Sequence, residues 1–259
     1  MKFTQVRNAT LIIQYAGKRF LIDPMLASQG TYPGFEGTPN SHLRNPLVEL
    51  PCSLETLLEV DAVIVTHTHP DHWDETAKAV IPKDMLIFAQ HQADADVIRT
   101  SGFTNIRIMG DNTGYDGISL SQTDGQHGSD DLMSAMGDRM GEVCGVVFRH
   151  PDEKTLYIAG DTVWNHHVQQ SIERYQPDVI ILNSGDAQID GLGSIIMTKE
   201  DVRAVYEAAP KATVIASHME AVNHAVLSRQ ALRDYLITHQ MTDRVRVPED
   251  GESYTFHES

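Results

Sequence analysis

The chain has 259 residues, 41% of them apolar, with 36 acidic against 20 basic side chains and a net charge of -16. Apolar content of that size is enough for a buried core, while scattered Lys and Arg among so many acids argue against a surface that tracks phosphates, and so against nucleic acid as a partner. No stretch reaches the roughly 20 apolar residues of a membrane span, the first residues lack a signal-peptide apolar run, and Cys52 and Cys144 stand too far apart to form a disulfide framework, so the expectation is a cytoplasmic protein with no membrane partner.

Strand-like segments open the chain at residues 2–6, 10–14 and 20–22. Residues 25–57 are rich in Gly, Pro, Ser and Asn, which reads as a long loop, and long loops in compact domains are often functional. Residues 62–66, Ala-Val-Ile-Val-Thr, form a continuous apolar run and read as a buried strand. Pro70 suits the first position of a helix. Strands at 85–89 and 105–109 flank a helix at 94–100, and 118–123 alternates as a half-exposed strand should. Residues 128–142 read as a second loop region, within which the spacing of Met133, Met136 and Met140 favours a short helix packed on the core. Further strands fall at 143–149, 155–159, 179–182 and 212–216. Helices fit 162–175, 199–208 and 228–238, with Thr198 and Ser228 as N-caps, and the last dozen residues read as a strand and a tail. Strands in both halves with helices between them fit a four-layer αββα sandwich, two sheets face to face with helices outside. No boundary is visible, so residues 1–259 are expected to form one domain.

The chemistry concentrates in Thr66-His67-Thr68-His69-Pro70-Asp71-His72, directly after the buried strand. In extended backbone, residues two apart point the same way, so His67 and His69 can share one metal ion. Asp71 and His72 follow the turn at Pro70 and are placed to face a second. His127, Asp161 and His218 each lie just past the end of an expected strand. Taken singly, each is more readily a structural residue; taken together, in this order, they suggest one site built where strand ends converge.

This pattern resembles the metallo-β-lactamase-fold hydrolase superfamily over nearly the whole chain. The resemblance implies that His67, His69 and His127 bind a first metal ion, that Asp71, His72 and His218 bind a second, and that Asp161 bridges them. It also implies that the two sheets are mixed. Relatives with a redox diiron pair usually carry Glu where His69 stands, so the His-rich set favours two Zn2+, with Mn2+ as the alternative. The zinc β-lactamases typically lack a counterpart of His72, which argues against antibiotics as substrate. The implied activity is hydrolysis by a bridging hydroxide of a small-molecule lactone, ester or related carbonyl bond, with Asp71 moving the proton. A small phosphodiester is the alternative substrate, and a non-catalytic metal-binding protein the reading from another class. The segments Phe20-Leu21-Ile22-Asp23-Pro24-Met25-Leu26 and His218-Met219-Glu220-Ala221-Val222-Asn223-His224 are similar to a bacterial branch that includes L-ascorbate-6-phosphate lactonases. That branch often forms oligomers, so a homo-oligomer is compatible with the resemblance.

Imidazole ligands need an acceptor on their other nitrogen, and Asp23, ending a strand near the site, is the candidate for that role; a turn cap before Pro24 is the competing reading. His224, six residues after His218, is a substrate-facing group, a partner behind a metal ligand, or a structural histidine. Tyr32, Phe35, Arg44 and Arg139, in the two loop regions, are candidates to touch substrate.

Overall fold

Tight turns set the start of the chain. β1 (Lys2–Arg7), β2 (Thr10–Tyr15) and β3 (Lys18–Ile22) form an antiparallel meander, and the β2–β3 turn uses Ala16 and Gly17 at positive φ, the geometry that matches strand twist in a two-residue hairpin. After a long loop come α1 (Leu54–Leu58), β4 (Ala62–Val65), α2 (Glu75–Val80), β5 (Ile87–Ala89), α3 (Gln92–Thr100) and β6 (Ile106–Ile108). The second half runs through β7 (Thr113–Tyr115), β8 (Ile118–Asp124), α4 (Asp130–Met140), β9 (Cys144–Arg149), β10 (Leu156–Ile158), α5 (His166–Tyr175), β11 (Val179–Asn183), the small hairpin β12 (Gln188–Ile189) and β13 (Gly193–Ser194), α6 (Lys199–Ala208), β14 (Thr213–Ser217), α7 (Arg229–Thr238), β15 (Val245–Arg246) and β16 (Ser253–Thr255). This computed structural model describes residues 1–257; part of the expected C-terminal tail, Glu258 and Ser259, lies outside them.

Two seven-stranded sheets result, in the orders β16-β1-β2-β3-β4-β5-β6 and β15-β14-β11-β10-β9-β8-β7. Each is mixed: antiparallel across one half, and parallel along β3-β4-β5-β6 and β10-β11-β14-β15. The strand period of two accounts for the layering. In β4, Ala62 and Ile64 enter the core between the sheets, while Val63 and Val65 pack outward with Leu57, Ala77, Ala95 and Ile98 of the first-half helices. In β11, Val179 and Ile181 face inward, and Ile180 and Leu182 meet Val168, Val202 and Leu232 of α5, α6 and α7. Each buried Val, Ile or Leu among them stabilises the fold by roughly 1.5–3 kcal/mol. The result is the αββα sandwich, and among the described residues no helix is long and apolar enough to cross a membrane.

Two expected boundaries move, and the short helix favoured in the second loop region forms. The helix anticipated from Pro70 begins at Glu75, because residues 70–73 form a turn in which the Trp73 and His72 amides both bond the His69 carbonyl. Asp74 is the true cap, its side chain accepting from the Ala77 amide at 2.7 Å. The helix expected from 162 starts at His166, where the Asn165 side chain accepts from the His167 and Val168 amides. In the second loop region α4 forms, capped by Ser129 and kinked at Met136, with Leu132 and Met140 buried beside Ile189 and Ile195.

Candidate metal centre

Six elements deliver polar side chains to one edge of the sandwich, the end toward which parallel strands point their C-termini and where open α/β folds keep their sites. Asp23 follows β3, His67 and His69 follow β4, His127 follows β8, Asp161 follows β10, Asn183 ends β11, and His218 follows β14. The backbone is forced at two of these corners: Asp23 has φ 44° and His218 φ 59°, left-handed values uncommon for residues with a side chain. Gly160, just before Asp161, has φ +73°, and a Cβ there would lie 2.2 Å from the Cys144 carbonyl oxygen, so only glycine lets the two strands approach closely enough to present the aspartate.

The seven expected side chains meet. His67, His69 and His127 offer ligand atoms within 4.8 Å of one another, as do Asp71, His72 and His218, and a third group joins Asp161 to His67 and His72, one from each of the other two. Asp161 Oδ2 lies 3.0 Å from His72 Nε2, 3.5 Å from His127 Nε2 and 3.8 Å from His67 Nε2, while its Oδ1 is 3.7 Å from His218 Nε2. All but His69 are buried.

Hydrogen bonds behind the cluster assign the tautomers. The His127 Nδ1–H donates to the Ile195 carbonyl at 2.8 Å. Asp23 Oδ2 accepts from the Thr66 hydroxyl at 2.7 Å and from His72 Nδ1 at 2.8 Å. Since that hydroxyl has spent its proton on Asp23, its lone pair accepts from His67 Nδ1 at 3.1 Å. Asp161 is steadied by the Asn183 amide, which donates to Oδ1 at 2.7 Å. The Nε2 lone pairs of His67 and His127 therefore face Asp161.

The electrostatics follow from this packing. Burial, reinforced by neighbouring imidazoles, holds His67 well below the ordinary histidine range, and burial lowers His127. Burial opposes charge on Asp71 and Asp161, yet the imidazoles around them keep both carboxyls well below their usual range. For His72 burial is likewise outweighed, here by Asp161, Asp71 and Asp23, which hold a proton on it. The ionised Asp161 thus faces the neutral imidazole lone pairs of His67 and His127, and His67 Nε2 is buried with no hydrogen-bond partner among the described residues. Lone pairs aimed at an anion repel unless a cation lies between them, so the donor set fits divalent metal.

Beside the cluster opens a cavity of about 260 Å³, lined by His69, Asp71, His127 and Asp161 of the cluster together with Phe35, Pro70, Arg139, Met140, Ile189, Ile195 and His224. Phe35 and Arg139 thus line this cavity. Tyr32 and Arg44 do not: the Tyr32 hydroxyl meets Asp74 at 3.3 Å, and Arg44 donates to the Gly30 and Thr31 carbonyls, both bracing the loop. Thr66, Asn183 and the Ile195 carbonyl were not singled out from sequence. Asn183 had a usable signal, a polar residue closing an apolar strand as the candidate ligands do; a backbone carbonyl leaves none.

Residues 18–219 match the family model described as the Beta-lactamase superfamily domain. The chain is 50% identical over 258 residues to UPF0173 protein YddR of Bacillus subtilis (strain 168), covering 99% of this chain and 100% of that protein. It is 28% identical over 219 residues to UPF0173 metal-dependent hydrolase Mbar_A3716 of Methanosarcina barkeri (strain Fusaro / DSM 804), covering 84% and 83%. Among solved structures it is similar to the isothiocyanate hydrolase from Delia radicum gut bacteria, with 51% identity, a TM-score of 0.98 and full coverage of both chains.

Proposed function

The chain belongs to the beta-lactamase superfamily, as a metal-dependent hydrolase of its UPF0173 group, and from that premise we propose that it hydrolyses isothiocyanates at a centre holding two divalent cations. The observation that carries the substrate is the end-to-end likeness, at 51% identity, to an isothiocyanate hydrolase. The mostly apolar cavity supports it, since a small neutral R–N=C=S molecule suits such a lining better than a charged phosphodiester does. A lactone or ester presents a comparable electrophilic carbon.

His67, His69 and His127 would hold one cation, Asp71, His72 and His218 the other, and Asp161 both; the nitrogen-rich set suits zinc, with manganese as the alternative. Cations bound there would acidify water towards a pKa of about 7 and polarise the electrophile. The remaining work falls to the chain. Apolar walls keep bulk water from the reacting carbon. Asp71 lines the cavity and stays ionised, and the Asn8 amide anchors its backbone by donating to the Asp71 carbonyl at 3.0 Å. As the water oxygen bonds to the carbon, the C=N pair moves to nitrogen, and Asp71 carries the water's proton there. When the second hydrogen follows and the C–N bond breaks, the products are an amine and carbonyl sulfide, which balances one isothiocyanate and one water.

The test is turnover of phenyl isothiocyanate by protein purified without chelator, beside a simple lactone and bis(p-nitrophenyl) phosphate, with metal counted per chain. Aniline release and about two ions per chain are expected. Turnover of the lactone or the phosphodiester alone would overturn the substrate, and a single ion in fully active protein would overturn the paired centre.

A further inference from the structure

His224 stands outside the three ligand groups, yet it lines the same cavity beside Asp71, His127 and Asp161. Only 6% of it is exposed. Phe35 meets its ring edge-on, 4.9 Å between centroids. Its Nδ1 is buried with no hydrogen-bond partner among the described residues. A buried donor with no acceptor costs more than a buried acceptor with no donor, so this environment selects the tautomer that leaves Nδ1 without a proton.

The backbone around it is held firmly. Asn223 uses its whole amide: Oδ1 accepts from Asn45 Nδ2 at 2.8 Å and from the Phe35 amide at 3.0 Å, while Nδ2 donates to Thr38 Oγ1 at 2.9 Å and the Pro39 carbonyl at 2.7 Å. The Asn223 N–H donates to Asn45 Oδ1 at 2.8 Å, and the Gln188 amide donates to the His224 carbonyl at 3.1 Å. The loop carrying Phe35 and the segment carrying His224 are thereby locked as one wall. Buried N–H groups without an acceptor are rarer than buried acceptors without a donor, so the ring proton belongs on Nε2, the nitrogen left to the cavity.

We propose that His224 is a catalytic residue whose Nε2–H hydrogen-bonds the substrate heteroatom that gains negative charge as the neighbouring carbon is attacked. This rests on the hydrolytic reading of the site, but not on isothiocyanate being the substrate. In an isothiocyanate the atom is the nitrogen or sulfur receiving the displaced electron pair; in a lactone it is the carbonyl oxygen. Burial pushes the imidazole down to about 4, so it is neutral at physiological pH. It acts as a fixed dipole donor and transfers no proton, and Asp71 keeps that task. A donor already oriented towards developing charge lowers the barrier without reorganising.

The experiment compares wild type with His224→Phe and His224→Gln on whichever substrate of the three-member panel the wild type turns over. Melting temperature and metal content are read in parallel. Loss of one such donor predicts a fall in kcat of about 100-fold or more for His224→Phe, with KM, metal content and melting temperature held. His224→Gln, which keeps an N–H donor, regains part of that rate. Full kcat in His224→Phe overturns the proposal, and so does a rate loss matched by lost metal or a lowered melting temperature. The panel judges the substrate separately. If no member is turned over, the His224 15N resonances are followed on adding N-phenylthiourea, where a shift confined to Nε2 supports the proposal and its absence overturns it.

Discussion

Asp23 Oδ2 lies 2.8 Å from His72 Nδ1, and the same oxygen takes the Thr66 hydroxyl whose lone pair meets His67 Nδ1. One carboxylate therefore orients an imidazole in each of the two ligand trios. Asp23→Asn should weaken binding of both ions by roughly 10–100-fold, the usual effect of losing an acceptor behind a ligand. Thr66→Val breaks only the branch to His67, and should weaken one ion and spare the other. Competitive titration against a chromogenic chelator measures both, and wild-type affinities in Asp23→Asn would refute the relay.

Asp161, Asp71 and Asp23 together hold a proton on His72 against the opposing effect of burial. A cation on Nε2 must displace it, because a ligand nitrogen has to present its lone pair. Zinc uptake near neutral pH should therefore release about one proton per chain from this residue. Calorimetry in two buffers of different ionisation enthalpy reads the number directly. Identical heats in both would show that His72 was already neutral.

Much of this site was legible from spacing alone. The alternation rule placed His67 and His69 on one side of an extended segment, and the strand-end positions of His127, Asp161 and His218 put them on one edge. What spacing misses depends on hydrogen-bond competition. Pro70 favours a helix start, but Asp74 offers the stronger cap, so the turn at His69–Trp73 survives and aims His72 inward. The Asn223 lock was not legible, because its partners Asn45, Phe35, Thr38 and Pro39 lie more than 175 positions away, in a loop with no periodicity.

That lock makes Asn223 the support of the cavity wall. Asn223→Ala should strand at least the Asn45 amide in the interior, at about 1–3 kcal/mol for each unmet group. The expected result is a lower denaturation midpoint with metal content retained. KM should rise more than kcat falls, since the wall and not the metal centre loosens. Unchanged stability would show that the loop closes without this residue.

His224 also gives the protein a predictable acid sensitivity. Its unfolded value is near 6.5 and its folded value about 4. Between those values the unfolded chain binds the proton and the folded chain does not, so this residue's contribution turns against folding as pH drops from 6.5 and levels off below 4. Over the whole window the loss is roughly 3 kcal/mol. His224→Phe removes the titrating group and fills similar space, so the variant should gain on wild type by roughly 2 kcal/mol between pH 7 and pH 4.5. Both proteins are stripped of metal beforehand, so that acid release of ions does not enter the difference. Denaturant melts at the two pH values provide the comparison. A constant gap between the proteins would mean that the imidazole takes up its proton equally well folded and unfolded, and that its nitrogens reach water more freely than this packing allows.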